Sequence, residues 1–303
     1  MLYPYFIIKD GFKYTRGTDL REHKSFVIES RPSDEMIDYI NTHQIKEVTT
    51  RGIENFERLD ECPSIETLHI WGIWPDFDAL KAGEILNFNA DGLYKMHNLK
   101  TLSIGIGEND KLKIDLSRIP SLKEFYGSQK YITNLDQAVN LEILDIINYK
   151  KKNLLELKNL KKLKLLTITS SSIVSLEGCE FLESLDTLRL YYNRSLEDIS
   201  TLCGNADTVT FLDIENCGRI SDFSVLETLK NLEVLSIYGR NKIPSIQFIN
   251  KLKHLDSFDF DINVLDGDLT PCLRLSSADC FVSRKHYNLK NDQLPKNFKT
   301  NTD

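Results

Sequence analysis

The stretch Leu185-Asp-Thr-Leu188-Arg-Leu190-Tyr-Tyr-Asn193 determines how this chain folds. Its last two leucines alternate with polar residues, which is the period-two pattern of a strand with one buried face. The first leucine turns the incoming chain toward the same core. An asparagine just after the strand can bond backbone groups of a neighbouring turn. The stretch therefore predicts a short strand that ends in a tight turn.

The same pattern recurs along the chain, which indicates a repeat architecture. Its ten copies, two of them weak, begin at Ile45, Ile65, Leu99, Leu122, Leu141, Leu163, Leu185, Val209, Leu232 and Leu255. Successive copies start 19 to 24 residues apart, except for one interval of 34. With 42 Leu, 29 Ile and only 6 Ala, the composition disfavours helical repeats, where close helix pairs need small side chains. One such unit cannot bury its aliphatic face, but stacked units share a continuous core.

With the pattern L-x-x-L-x-L-x-x-N/C, the chain resembles a leucine-rich-repeat protein of the internalin-like bacterial type over about residues 45–280. The resemblance implies an α/β, right-handed solenoid (a horseshoe) with a parallel concave β-sheet, short 3₁₀ or irregular returns, and a cap at each end. It also implies binding through the concave face. Asn193, Cys217 and Asn263 are expected to bond neighbouring turns.

The ends are predicted to be caps, because the terminal turns of a solenoid would otherwise expose its core. We expect an N-terminal cap over residues 1–44, the solenoid over 45–280, and a C-terminal cap and tail over 281–303. The first cap should hold a hairpin around the Asp10-Gly11 turn. A helix capped by Ser33 should follow and reach about residue 44. At the other end we expect a last strand and a covering tail, frayed beyond residue 295.

The long interval between Ile65 and Leu99 predicts an insertion near residues 75–96. One interpretation is a helix packed on the convex side, which would cover the insertion's own apolar residues. The alternative is a projecting contact element beside the concave mouth.

Composition and the N-terminus exclude several classes of protein. The net charge of −7 disfavours a general nucleic-acid binder, which needs a basic surface. No secretory leader is recognisable, and no apolar run is long enough to cross a membrane. The six cysteines have no zinc-site spacing, so we expect reduced thiols in a cytoplasmic protein. A secreted form with a Cys272–Cys280 bridge stays an alternative.

Seven lysines lie within residues 150–164, and they allow a nucleic-acid or lipid interpretation. Aromatic side chains that could stack on bases are missing between Tyr149 and Leu166. We therefore interpret the run as a solvated edge on a return segment.

The candidate motifs for cofactor and metal binding lack residues that these motifs require at fixed positions. Gly105-Ile-Gly107 lacks the third glycine of a dinucleotide loop, and the run from Asp259 to Asn263 lacks the later glycine and glutamate of a calcium loop. The six histidines are scattered. We predict no catalytic residue, no cofactor and no metal.

The concave strip, read from the outward positions of the pattern, is the predicted binding site. It combines acids with aromatic residues, which is typical of a surface that binds a basic protein. Cross-strand pairing of the aromatic side chains is the purely structural alternative. The predicted partner-binding residues are Trp71, Tyr126, Asp145, Arg189, Tyr191, Tyr192, Phe211, Asp213, Glu215, Tyr238, Asp259 and Asp261.

The expected function is non-catalytic protein recognition by a monomer. Internalin-like proteins without a leader resemble cytosolic binders, including immunity proteins, and an acidic concave face would suit a basic toxin domain. The alternatives are a surface or secreted internalin-like adhesin and, less in keeping with the motifs, an enzyme or metal protein.

Overall fold

The computed structural model describes residues 6–16, 23–72, 86–107 and 109–296. The chain forms two compact units, Met1–Leu141 and Glu142–Asp303. The domain boundaries predicted at residues 44/45 and 280/281 separate the caps from the repeats and do not describe compact units. They stay a prediction.

The sheet of the first unit joins an antiparallel hairpin to a series of parallel strands. Its order is β1-β2-β3-β4-β5-β6-β8, antiparallel up to β3 and parallel from there, and β7 pairs with β9 separately. The strands are β1 (Phe6–Lys9), β2 (Phe12–Arg16), β3 (His23–Ile28), β4 (Glu47–Arg51), β5 (Thr67–Trp71), β6 (Thr101–Gly105), β7 (Ile114–Asp115), β8 (Glu124–Ser128) and β9 (Ile132–Thr133). The returns carry 3₁₀ turns at Leu59–Glu61, Leu93–Lys95, Leu116–Arg118, Gln129–Tyr131 and Leu135–Gln137.

The second unit is more regular, because its main sheet is parallel throughout. Its order is β10-β11-β12-β13-β14-β16-β18, and β15 pairs with β17. The strands are β10 (Ile143–Ile147), β11 (Leu165–Thr169), β12 (Thr187–Tyr191), β13 (Phe211–Glu215), β14 (Val234–Tyr238), β15 (Lys242–Ile243), β16 (Ser257–Phe260), β17 (Asn263–Val264) and β18 (Ser277–Cys280). The 3₁₀ turns are Leu155–Leu157, Cys179–Phe181, Ser200–Asn205, Ser224–Thr228, Gln247–Lys251, Thr270–Arg274 and Asn291–Gln293.

The aliphatic pattern forms the core as predicted. In β12, Leu188 and Leu190 are fully buried, whereas Arg189 between them is only half-buried. Neighbouring strands pair in phase, so Leu188 lies opposite Leu166 and Leu212. The stacked strands and short returns confirm a leucine-rich-repeat solenoid in each unit.

The turn after each strand is held by buried side chains. Asn193 donates to the Ile168 carbonyl at 2.8 Å and accepts from the Ser171 backbone at 2.9 Å. The Cys217 thiol reaches the Leu190 carbonyl at 3.4 Å. These two predictions are confirmed. Asn263 differs, because it lies in β17 and its Oδ1 is buried without a hydrogen bond among the described residues.

In the same series of turns, the side chain that bonds its neighbours is Asn241. It donates to the carbonyls of Cys217 and Ile220 at 3.1 and 2.8 Å. The predicted spacing missed it by one residue, because Gly239 and Arg240 lengthen that turn.

The predicted hairpin and helix of the N-terminal cap are both present. Asp10 and Gly11 have positive φ values of 51° and 83°, as a tight hairpin turn requires. Helix α1 (Asp34–Thr42) is capped by the Ser33 hydroxyl, which accepts from the Met36 backbone at 3.2 Å. The repeat pattern does not reveal β3. Its residues Ser25 to Ile28 are all buried, so this strand lacks the polar alternation that reveals the others.

The insertion lies partly outside the described residues, which resume at residue 86. Residues 86–96 form no α-helix, so the helix prediction is wrong there. They pair by single bridges, Asn87 with Lys111 and Asn89 with Asn55, and then form the 3₁₀ turn. This is an ordinary return segment, because its apolar residues Leu93 and Met96 are buried in the core.

At the C-terminus the last strand is β18, and residues 281–296 cover the end of the core. The Tyr287 hydroxyl donates to the Ile262 carbonyl at 3.0 Å, and Leu294 is buried. The expected fraying beyond residue 295 is wrong for Lys296, which forms a bridge with Ser277. The residues from 297 onward lie outside the described range.

The lysine-rich segment occupies the return between β10 and β11. Its ammonium groups contact Glu156, Glu183 and Glu142 at 3.3, 2.7 and 2.8 Å through Lys151, Lys161 and Lys164. These pairs support the interpretation of a solvated edge.

Candidate functional site: the open face of the second sheet

The side chains that point away from the core of the second sheet form rows across the strands. Because the strands pair in register, one residue per strand faces its neighbours at about 4.8 Å spacing. We call this surface the open face. Its middle row is Asp145, Thr167, Arg189, Asp213, Ser236, Asp259 and Asp279. The next row is Ile147, Thr169, Tyr191, Glu215 and Tyr238, continued by Asp261 and Phe281 directly after their strands.

Asp213 and Asp259 are the least satisfied members of the middle row. Burial raises the pKa of the Asp213 carboxyl, and the hydrogen bond from Tyr191 opposes that shift. Burial also raises the pKa of Asp259, and the negative charge of Asp279 adds to the shift. Both Oδ1 atoms are buried without a hydrogen-bond partner among the described residues. Each side chain as a whole is only half-buried, so a cation placed against its exposed part would offset its negative charge.

Asp145 and Arg189 give the same row charges of both signs. Burial raises the pKa of the Asp145 carboxyl, while the positive charge of Arg189 acts against it. The Arg189 guanidinium lies over the Phe211 ring, 5.3 Å from its centroid. Arg189 thus stands between two acids and rests on an aromatic ring, which favours a fixed position.

Aromatic residues surround the acids. The Tyr191 hydroxyl donates to Asp213 Oδ2 at 2.8 Å, so it orients that carboxylate. Tyr238 contacts Phe281, with 5.9 Å between the ring centroids. Burial, followed by the charge of Asp259, raises the pKa of Tyr238 to about 12, so its hydroxyl is neutral at physiological pH.

Two predicted residues, Asp261 and Glu215, also form hydrogen bonds within turns, and a third, Tyr192, lies at the edge of the surface. The Asp261 carboxylate accepts from the Gly239 backbone, so part of it holds the turn after β14. Glu215 accepts from the Asn216 side chain at 3.0 Å. Tyr192 follows β12 in a left-handed conformation and is 44% exposed, so it lies at the rim of the open face and not within a row.

Trp71 and Tyr126 lie on the sheet of the first unit. Both are half-buried at outward positions, Trp71 at the end of β5 and Tyr126 in β8. The Tyr126 hydroxyl donates to Glu124 at 3.2 Å. On the same sheet, His69 Nε2 lies 3.0 Å from Glu47. The structure therefore brings together nine of the ten predicted residues of the second unit, with Tyr192 at their rim, whereas Trp71 and Tyr126 lie in the first unit.

Sequence reasoning missed Asp279, Phe281 and Lys296. The Lys296 ammonium contacts the Asp279 carboxylate, the Ala278 carbonyl at 2.9 Å and the Asn291 side chain at 3.0 Å. Phe281 is 63% exposed beside Tyr238. The missed signal was the segment Ser277-Ala-Asp-Cys280, which lacks the Leu and Ile of the repeat yet continues the same rows.

Other kinds of site have little support in the described part of the chain. Within it, no group of three or more His, Cys, Asp or Glu side chains is arranged to hold a metal ion. None of its helices combines the length and apolar character needed to span a bilayer.

Comparison with solved structures identifies the fold. An internalin, InlF of Listeria monocytogenes, superposes with a TM-score of 0.54 at 19% sequence identity, over 79% of this chain and 73% of that one. The chain has an internalin-like leucine-rich-repeat fold. The functional domain of InlJ from Listeria monocytogenes also gives a TM-score of 0.54, at 14% identity over 78% of this chain and 48% of that one. No protein-family model and no curated protein sequence matches the chain.

Proposed function

We propose that this internalin-like protein is a non-catalytic recognition module that binds a basic protein through its open face. One observation carries the proposal: Asp213 and Asp259 are half-buried carboxylates whose Oδ1 atoms lack donors among the described residues. Burying an unsatisfied charged group costs free energy, and fold stability alone gives no reason to accept that cost. A lysine or arginine from a partner, placed against these half-buried carboxyl groups, would offset their charge.

The chain's own Lys296 supports the choice of ligand. This lysine occupies the end of the middle row, where it contacts Asp279 with its ammonium group. Asp279 is only 14% exposed in that contact. The end of the row therefore accommodates an ammonium group beside a carboxylate, and this is the kind of contact that we propose for Asp213 and Asp259.

The aromatic residues supply the apolar part of such an interface. Binding energy at protein interfaces is concentrated in a few aromatic and charged side chains near the centre. Tyr191, Phe211 and Tyr238 lie around the acids and are partly exposed, and Phe281 beside them is exposed. Cross-strand packing explains why these rings are partly buried. It does not explain why they lie around acids that have no partner.

The finer proposal is a monomeric cytoplasmic binder of the immunity or inhibitor type. The six cysteines are free thiols, and five of them are buried, which suits a reducing compartment. An acidic face neutralises a basic protein by occupying its functional surface, and long-range attraction accelerates the encounter.

The test is affinity capture from the native cell with two variants of matched charge. The double variant Asp213→Lys and Asp259→Lys reverses the open face. The control, Asp207→Lys with Glu233→Lys, makes the same charge change at two exposed acids outside the rows, Asp207 on a turn and Glu233 directly before β14. We expect one basic protein on the wild-type chain and on the control, and its loss on the open-face variant.

Quantitative mass spectrometry reads the outcome. Equal recovery of the partner by the open-face variant would refute the assignment of this surface. A captured partner that is acidic would refute the proposed electrostatics even if the surface is correct.

A further inference from the structure

A depression of about 440 Å³ lies beyond the carboxyl ends of β12, β13 and β14, outside the rows of the open face. This volume is in the range of small-molecule sites. Its lining residues are Tyr192, Arg194, Asn216, Gly218, Arg219 and Arg240. Three of these six are arginines, within a chain whose net charge is −7.

The repeat explains why the arginines meet. Each of the three strands is followed directly by a residue with positive φ: Tyr192 at 57°, Asn216 at 55° and Gly239 at 134°. The chain bends at these residues, and the side chains that follow emerge at the same edge of the sheet. Arg194, Arg219 and Arg240 come one to three residues after the bends. Successive turns of the solenoid therefore place one guanidinium each beside the same depression.

The charges of the depression are only partly balanced. Arg219 donates to Glu197 at 2.9 Å. Among the described residues, Arg194 and Arg240 have neither an ion pair nor a side-chain hydrogen bond. Both side chains are exposed. The Glu215 carboxylate lies nearby, where it accepts from the Asn216 side chain. Two guanidinium groups are thus available to an anion.

We propose that this depression binds a phosphoryl group, carried by a phosphate monoester or as the free ion. A phosphoryl group has a charge of about −1.5 to −2 near neutral pH, which matches two free guanidinium groups. Arginine also fits phosphate oxygens through pairs of parallel N–H donors. The exposed Tyr192 ring and the volume of the depression leave room for the group that carries the phosphate. This site borders the acidic rows at Glu215 but includes no row residue in its lining, and it does not depend on the proposed protein partner.

The experiment is isothermal titration calorimetry of the full chain at constant ionic strength. The probes are inorganic phosphate and phenyl phosphate, which differ in the apolar ring that Tyr192 could contact. The test variant is Arg194→Gln with Arg240→Gln. The control is Arg118→Gln, an exposed arginine in the first unit. Circular dichroism verifies that each variant is folded.

We expect saturable binding of at least one probe by the wild-type chain and by the control. The double variant should bind at least about tenfold more weakly, because it loses the charge-assisted contacts of two guanidinium groups. Tighter binding of phenyl phosphate indicates a monoester ligand, and equal or tighter binding of inorganic phosphate indicates the free ion.

Three results would overturn the proposal: no saturable binding of either probe, unchanged affinity in the double variant, or an equal loss in the control. None of them bears on the capture of a basic protein by the open face.

Discussion

Replacing Asp259 by asparagine should stabilise the folded protein. The folded chain raises the pKa of this carboxyl through burial and the neighbouring acid Asp279. The ionised form is therefore disfavoured in the folded state relative to the unfolded state. An asparagine side chain at this position would keep the shape and remove the charge, so Asp259→Asn should raise the free energy of unfolding at neutral pH.

The expected size follows from the geometry of the middle row. Asp259 and Asp279 are separated by one strand spacing, about 5 Å. Coulomb's law gives about 0.8 to 3.3 kcal/mol of repulsion for effective dielectric constants between about 80 and 20, and the Lys296 ammonium beside Asp279 offsets part of it. Salt screening and partial exposure reduce the repulsion toward the lower of these values. Removing the charge also removes the cost of desolvating it, and this adds to the gain in stability. We expect a gain of about 0.5 to 1 kcal/mol at pH 7.

The assay is urea unfolding of the wild type and the variant between neutral and acidic pH. A raised pKa in the folded state means that the folded protein binds the proton more tightly, so the destabilisation by Asp259 disappears as the pH falls. The gain of Asp259→Asn should therefore fade as the pH falls through the raised pKa. As a control, the exposed Asp207→Asn should change stability by less than about 0.5 kcal/mol. If Asp259→Asn destabilises at pH 7, or if its gain grows with acidification, the reasoning is wrong.

Two further predictions concern the framework that positions the open face. Asn193→Ala should cost about 2 to 4 kcal/mol in urea unfolding, because it leaves the Ile168 carbonyl and the Ser171 N–H buried without their partner; the exposed Asn250→Ala should cost far less. Gly178→Ala should cost at least about 2 kcal/mol, because φ is 102° and a Cβ would lie 2.5 Å from the Leu154 backbone, whereas at Gly218 a Cβ would meet nothing within 4 Å. Similar melting temperatures for the two glycine variants would contradict this account of the turn.

The sequence predicts the strands of the second unit well because each one buries a single face. The alternation of apolar and polar residues, as in Leu188, Arg189 and Leu190, then shows which face of the sheet each side chain lies on. The same rule explains the missed strand β3, where Ser25 and Val27 are buried as well as Phe26 and Ile28. A strand covered on both faces leaves no period to detect.

The candidate site is predictable only in part, because one pattern per strand cannot describe contacts made by other segments. Asp213 and Asp259 follow directly from the period. Phe281 and Asp279 belong to a last strand and its end, which lack the aliphatic signature, and Lys296 reaches the row from the tail. The pattern also assigned Tyr192 to the open face, although the bend after β12 places it beside the arginine depression.

Recognition by the two carboxylates is tested most sharply by a dissociation constant. It is measured between the captured basic protein and either the wild type or the variant Asp213→Asn with Asp259→Asn, at low and at high salt. These substitutions keep the shape of the open face and remove two charges. Close charge pairs at interfaces contribute about 1.5 kcal/mol or more, so we predict at least about tenfold weaker binding at low salt and a smaller difference at high salt. Equal dissociation constants at low salt would contradict the claim that these carboxylates recognise the partner.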